Sequence, residues 1–237
     1  MIAERIAAVR ERIARAAARA GREASAVTLV AVSKTQGVEA VREAFAAGVR
    51  TFGENRVQEA EAKALTLADL REAGLLWHLV GHLQENKARK AAPLFELVHS
   101  IDSAPLGRKL ARLSTEAART LRGLVQVDLA GEETKFGIPE AELFTVLEEL
   151  RVLPGLRLEG LMILPPLFEE PERTRPFFRR LRALRDLALE RGLLAQGSLS
   201  MGMSHDFEVA IEEGATLVRV GTAIFGERKA PPPASLA

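Results

Sequence analysis

Ile2, Ile6, Val9 and Ile13 recur at spacings of four, three and four, which lays one apolar stripe along a helix ending near Gly21. The next apolar segment has a different rhythm. Val27-Thr-Leu-Val-Ala-Val-Ser33 is too short for a typical helix and too uniformly apolar for a sheet with one wet face, so it predicts a buried parallel strand. Helix formers from Val38 to Ala47 stop at Gly48, and a second short strand follows around Val49 to Phe52. The alternation continues, with strands near Leu75 to Val80, Leu97 to Ile101, Gly123 to Asp128, Leu156 to Ile163, Gly197 to Ser200 and Leu217 to Val220. Helical patterns fall between them over Val57 to Ala73, Asn86 to Ala92, Leu106 to Ala118, Glu140 to Leu150, Arg173 to Arg191 and Phe207 to Glu213. Eight strands, each but the last followed by a helical stretch, predict an α/β chain folded as a single (β/α)8 TIM barrel over residues 1–237, with an extra N-terminal helix over 1–21. A doubly wound open sheet is the alternative, but its Gly-x-Gly-x-x-Gly fingerprint is absent. Pro165, Pro166 and Pro171 mark one longer loop, and residues 227–237, with Pro231 to Pro233, read as a flexible tail.

Composition narrows the function. At 237 residues, 47% hydrophobic and 27% charged, the chain has the proportions of an ordinary globular domain with a substantial core. Its 33 basic and 32 acidic side chains leave a formal charge of +1, so no global field recruits nucleic acid or anionic lipid, and any anion must be bound locally. The lack of cysteine excludes disulfides, thiolate metal sites and a cysteine nucleophile. No stretch has the apolar run of a signal peptide or a membrane span, which makes a cytoplasmic protein the expectation. No metal site is expected either: His78 and His82 straddle a strand end and Gly81, so they do not share a helix face as a zinc pair would. For all four, His78 and His82 together with His99 inside a strand and His205 near a helix start, core or capping roles are favoured.

In a barrel the C-terminal strand ends open onto the active site, so residues just after each apolar run are the candidates. Lys34 follows the first strand directly. Partial desolvation there favours the neutral amine that attacks a carbonyl to form a Schiff base, against the plainer reading of a solvated strand-end lysine. Ser198-Leu-Ser-Met-Gly-Met-Ser204 and Arg219-Val-Gly-Thr-Ala-Ile-Phe-Gly226 fall after strands seven and eight, the common phosphate site of such barrels. Gly221 permits close backbone approach to an anion, Ser200 and Thr222 add hydroxyls and Arg219 a fixed cation; the alternative is that Gly202 and Gly221 merely make tight turns. In Phe52-Gly-Glu-Asn55, Asn55 either meets a ligand oxygen or is the N-cap of the next helix, and Glu54 can orient a neighbour. An amine facing a phosphate cup suits a small phosphorylated aldehyde, of which pyridoxal 5'-phosphate is the obvious one.

Val30-Ala-Val-Ser-Lys-Thr35, Phe52-Gly-Glu-Asn55 with Val57-Gln-Glu59, Trp77-His78 with Gly81 and Leu83-Gln84, Asn86-Lys87, Lys135-Phe-Gly-Ile138, Gly160-Leu-Met162, Leu199-Ser-Met-Gly-Met-Ser204 and Arg219-Val-Gly-Thr-Ala-Ile-Phe-Gly226 stand in this order along nearly the whole chain. Together they resemble the YggS/PROSC family, the pyridoxal phosphate homeostasis proteins. The resemblance implies a barrel of the alanine racemase N-terminal type with pyridoxal phosphate as a Schiff base on Lys34. It implies that Ser200, Arg219, Gly221 and Thr222 belong to the cofactor site, with Met201 and Asn55 close by. It also implies a carrier or buffer of vitamin B6 without established catalytic turnover. Arg56 and His205 depart from the family pattern, the first at the mouth of the site and the second as a titrating group near the phosphate.

The rival function is a weak pyridoxal-phosphate-dependent amino-acid racemase. Such barrels resemble two-base catalysts with a tyrosine opposite the lysine and a C-terminal β domain, whereas this chain has no tyrosine and 11 residues after Gly226. His78 or His205 is left as a substitute base. Arg219 at the ring nitrogen, as the resemblance suggests, would mute carbanion chemistry by like-charge repulsion. A cofactor-free Schiff-base aldolase for sugar phosphates is the third possibility. Expected partners are pyridoxal phosphate itself and apo enzymes that accept it, with no nucleic acid and no membrane, and a monomer is the simpler assembly.

Overall fold

Side chains along a strand alternate between its two faces, and here that alternation separates a barrel interior from an outer layer. In the computed structural model, which describes residues 1–131 and 136–227, eight parallel strands carry it. They are β1 (Thr28–Val32), β2 (Thr51–Glu54), β3 (Leu76–Leu79), β4 (Leu97–Ile101), β5 (Leu121–Asp128), β6 (Leu156–Met162), β7 (Ser198–Met203) and β8 (Leu217–Val220). Neighbours pair in sequence order, and β8 returns to β1 through Val30 opposite Arg219 and Ala31 opposite Val220, which closes the barrel. The two-residue strand Ile138–Pro139 is an addition to the expected eight and pairs only with the end of β5.

The helices are α1 (Ile2–Arg19), α2 (Val38–Ala46), α3 (Val57–Thr66), α4 (Ala68–Glu72), α5 (Ala88–Leu94), α6 (Ala104–Glu116), α7 (Leu143–Leu150), α8 (Arg175–Glu190), α9 (Phe207–Glu212) and α10 (Thr222–Phe225). The single helix expected over 57–73 is interrupted at Leu67, fully buried with φ −111°, and becomes α3 and α4. The expected N-terminal helix is α1. Its apolar stripe packs on α9, α10 and α2, and Arg12 fixes it by donating to both Glu208 oxygens at 3.0 and 2.8 Å.

Two apolar clusters result. The larger fills the space between strands and helices and includes Ala31, Phe52, Trp77, Leu199, Met201 and Val220. The smaller lies inside the barrel, with Val30, Leu97, Leu124, Met162 and Leu217. On the interior face of the same strands, and buried with them, stand His78, His99, Ser200 and Arg219. No described helix is long and apolar enough to cross a membrane.

Candidate functional site

β1 ends at Val32, and the Gln36 amide donates to the Ser33 carbonyl at 3.0 Å, closing a turn that carries Lys34. Thr35 in that turn has φ +64°, a conformation costing a β-branched residue about 1–3 kcal/mol. Its amide is compensated by the Glu59 carboxylate, 2.5 Å away. Beneath the turn lies Lys63, whose Nζ donates to the Ser33 carbonyl at 2.6 Å, to Glu54 Oε1 at 2.7 Å and to Glu59 Oε1 at 2.8 Å. The Ser33 hydroxyl donates to the same Glu54 oxygen at 2.6 Å. Lys63 and Glu54 are both buried, and burial raises the Glu54 carboxyl above its ordinary range against the pull of Lys63. Glu54 therefore orients its neighbours, as expected. Lys63 was not among the expected residues, although its place beside Ala60 and Ala64 on the buried face of α3 is a signal that the pattern contains.

The rim around Lys34 draws on both neighbours of β1. Val32 pairs with Gly53, so Asn55 lies two residues past its strand partner as Lys34 does past Val32. Asn55 is not a helix cap: the N-cap of α3 is Arg56, without a side-chain bond. Gly81 holds Asn55 in place by contact, since a Cβ at 81 would lie 2.5 Å from the Asn55 carbonyl oxygen. On the other side Gly221 rests against β1, where an added Cβ would be 3.4 Å from the Val32 carbonyl. The Gly221 and Ala223 amides both donate to the Ser204 hydroxyl, at 3.1 and 3.3 Å. Two converging amides thus have a neutral oxygen where an anion's oxygen could sit, with Thr222 exposed between them. The turn before α9 that presents Ser204 depends on Gly202, with φ +88° and room for no Cβ: one would stand 2.6 Å from Ala210 Cβ. The Met203 amide donates to Asp206 Oδ1 at 2.7 Å and fixes the same turn.

Ser200 and Arg219 lie below this rim. Strand β7 runs on to Met203, so Ser200 is inside the barrel, and its oxygen accepts from Arg219 Nη1 at 2.6 Å. Arg219 Nη2 donates to the Ile163 carbonyl at 2.8 Å. Burial lowers the guanidinium to about 10, which leaves it charged near neutral pH. Behind Ser200, its Oγ lies 2.7 Å from His99 Nδ1, and His99 Nε2 lies 2.9 Å from His78 Nδ1. Burial, then Arg122, lowers His78 to about 3. Burial together with His78, Arg219 and Arg122 takes His99 well below its ordinary value. The expected core roles of both histidines hold, in the form of a polar chain. Met201 points the other way, into the strand–helix layer.

His82 and His205 are exposed, and the expected core or capping role does not describe them. His82 bonds Asp102 at 2.7 Å and stacks on Phe136 with 3.5 Å between ring centroids, while His205 Nε2 bonds the Glu169 carbonyl at 2.9 Å. Beyond Asn55 opens a cleft of about 570 Å³ lined by Arg56, His82, Gln84 and Lys87. Arg56 lines this cleft next to Asn55. No metal-binding cluster occurs among the described residues. Lys135 of the Lys135-Phe-Gly-Ile138 motif and the tail from 228 lie outside the described residues.

Comparison with known proteins adds the following. Residues 5–229 match the family described as the alanine racemase N-terminal domain. The pyridoxal phosphate homeostasis protein of Pseudomonas aeruginosa is 47% identical, covering 99% of each chain, and that of Aquifex aeolicus is 44% identical, covering 95% of this chain and 98% of its own. The structure of PipY from Synechococcus elongatus with PLP bound superposes with a TM-score of 0.84 at 42% identity, covering 95% of this chain and 100% of that one.

Proposed function

The chain belongs to the alanine racemase N-terminal domain family and, within it, to the pyridoxal phosphate homeostasis proteins, and from that premise we propose that it binds pyridoxal 5'-phosphate at Lys34 and carries, buffers or delivers it in the cytoplasm. The observation that carries this reading is the convergence at one barrel rim of the Lys34 turn, the Gly221 and Ala223 amides and, below them, the Arg219 cation. That donor set fits the cofactor. When bound, pyridoxal phosphate supplies an aldehyde for a primary amine and a dianionic phosphate for hydrogen-bond donors.

The residues divide the work. Lys34 provides the amine, and the Lys63, Glu54 and Glu59 network under its turn limits where that amine can go. The Gly221 and Ala223 amides, which now donate to the Ser204 hydroxyl, and the exposed Thr222 hydroxyl would hold the phosphate. Asn55, two residues past the β2 partner of Val32, would stand beside the cofactor on the β2 side, whereas the Met201 side chain packs away from it into the strand–helix layer. Ser200 acts through Arg219, because its oxygen accepts from the guanidinium. A cation beside a ring nitrogen opposes its protonation and weakens electron withdrawal, which favours holding over turnover. His78 is committed to His99 and His205 to the Glu169 carbonyl, so neither favours the racemase reading. The loaded protein acts as a monomer that releases the cofactor to apo enzymes.

The test is direct. Purified protein given pyridoxal phosphate should turn yellow, and borohydride should bleach it while fixing the ligand's mass on Lys34. Lys34→Ala should stay colourless; an alanine variant that remains coloured and reducible like its parent would overturn the assignment. Mixing loaded protein with an apo enzyme and a pyridoxal phosphate trap distinguishes handover, where activation survives the trap, from simple release.

A further inference from the structure

Four buried groups in the barrel interior form one line: Arg219, Ser200, His99 and His78, with successive contacts of 2.6, 2.7 and 2.9 Å. The line has a direction, and chemistry fixes it. Arg219 carries only donors, so Ser200 Oγ accepts from it. The serine has a single proton, and among the described residues His99 Nδ1 is the acceptor in reach. His99 therefore carries its own proton on Nε2 and donates it to His78 Nδ1, which leaves the His78 proton on Nε2. Running the chain the other way would put a proton on His99 Nδ1 and strand the Ser200 hydroxyl proton in a fully buried site. Cationic charge on either ring is opposed by burial and by the two arginines that flank the pair, Arg122 and Arg219.

We infer that His99, supported by His78, is a positioning residue for Arg219: by taking the proton of Ser200 it leaves the serine's lone pairs to the guanidinium and so fixes where that cation points. The inference deepens the function proposed above and rests on Arg219 belonging to the cofactor site. Without an acceptor at position 99, the Ser200 hydroxyl would turn to find one. Its lone pairs would leave the guanidinium, which then keeps the Ile163 carbonyl as its hydrogen-bond acceptor among the described residues, with Asp206 acting on it only through charge.

The experiment has two arms. In the ligand-free protein, nitrogen NMR of labelled histidine should show His99 with an unprotonated Nδ1 and a protonated Nε2 from mildly acidic to mildly alkaline pH. A protonated Nδ1 or an imidazolium at neutral pH would overturn the inference, and this arm needs no cofactor. In the second arm, His99→Leu keeps bulk without an acceptor, whereas His99→Asn offers an amide oxygen near the Nδ1 position. The leucine variant should shift the visible absorption of bound pyridoxal phosphate and release it about tenfold faster, the scale of one hydrogen bond to a charged group. The asparagine variant should restore both, and Ser200→Ala should reproduce the leucine phenotype. Leucine and asparagine variants that behave alike, or a leucine variant indistinguishable from the parent, would refute the positioning role. A parent protein that never colours sinks the cofactor assignment instead, while the tautomer measurement still decides the chain's direction.

Discussion

Lys63 Nζ donates to the main-chain carbonyl of Ser33 from 2.6 Å, so the residue preceding the site lysine hangs from a second, buried lysine. The same ammonium pairs with both Glu54 and Glu59. Removing one member of such a cluster leaves the others charged and uncompensated, which costs far more than the cluster's net contribution. Lys63→Met should lose about 3–5 kcal/mol of stability. Urea unfolding followed by the fluorescence of Trp77, the single tryptophan, measures it. Adding Glu54→Gln to that variant should recover part of the loss; a single variant within about 0.5 kcal/mol of the parent would contradict the network's importance.

The interior histidines make stability depend on pH with a definite sign. Their folded values are depressed, His78 to about 3, from an ordinary 6.5. The unfolded chain therefore binds protons that the folded one refuses. Stability is full above about pH 6.5 and declines as pH falls toward about 3, by up to ~1.4 kcal/mol per pH unit for each histidine. His99→Asn removes one such group, so its stability should fall less steeply than the parent's on acidification. Urea midpoints taken across that window check this, and parallel slopes would argue that His99 is not buried neutral.

Gly202→Ala tests the turn that presents Ser204. The new methyl would meet Ala210 Cβ at 2.6 Å and Phe207 Cα at 2.8 Å while the backbone stays at φ +88°. Strain and overpacking together predict a loss of about 2–4 kcal/mol and displacement of α9. Thermal unfolding reports the first, and weakened phosphate competition for the cofactor reports the second.

Arg219→Glu replaces the interior cation with an acid. The bound chromophore should change colour, and exchange of an amino acid's α-proton for solvent deuterium should rise above the parent's rate. If neither moves in a variant that still folds and binds, the guanidinium is not governing the ring's electronics.

The alternation of apolar runs and helix formers was enough to locate eight strands, because parallel strands buried on both faces leave continuous apolar runs. Lys34, Asn55 and Gly221 were legible for a related reason: each follows such a run, and topology brings strand ends together. Ser200 was harder. The pattern ends strand seven there, while the ladder continues across an irregularity to Met203 and moves the hydroxyl from the rim into the interior. The burial of Lys63 was also hidden, since it depends on Glu54 and the Ser33 carbonyl, which lie on other elements and meet α3 only in three dimensions.

Gly221 seated against Val32 joins the last barrel strand to the first. The Lys34 amine follows the first strand and the Gly221 and Ala223 amides follow the last, so the two meet only when the ring of strands closes. If both grip one small molecule as proposed, retention of the cofactor would report an intact closure between β8 and β1 and not merely a folded Lys34 turn.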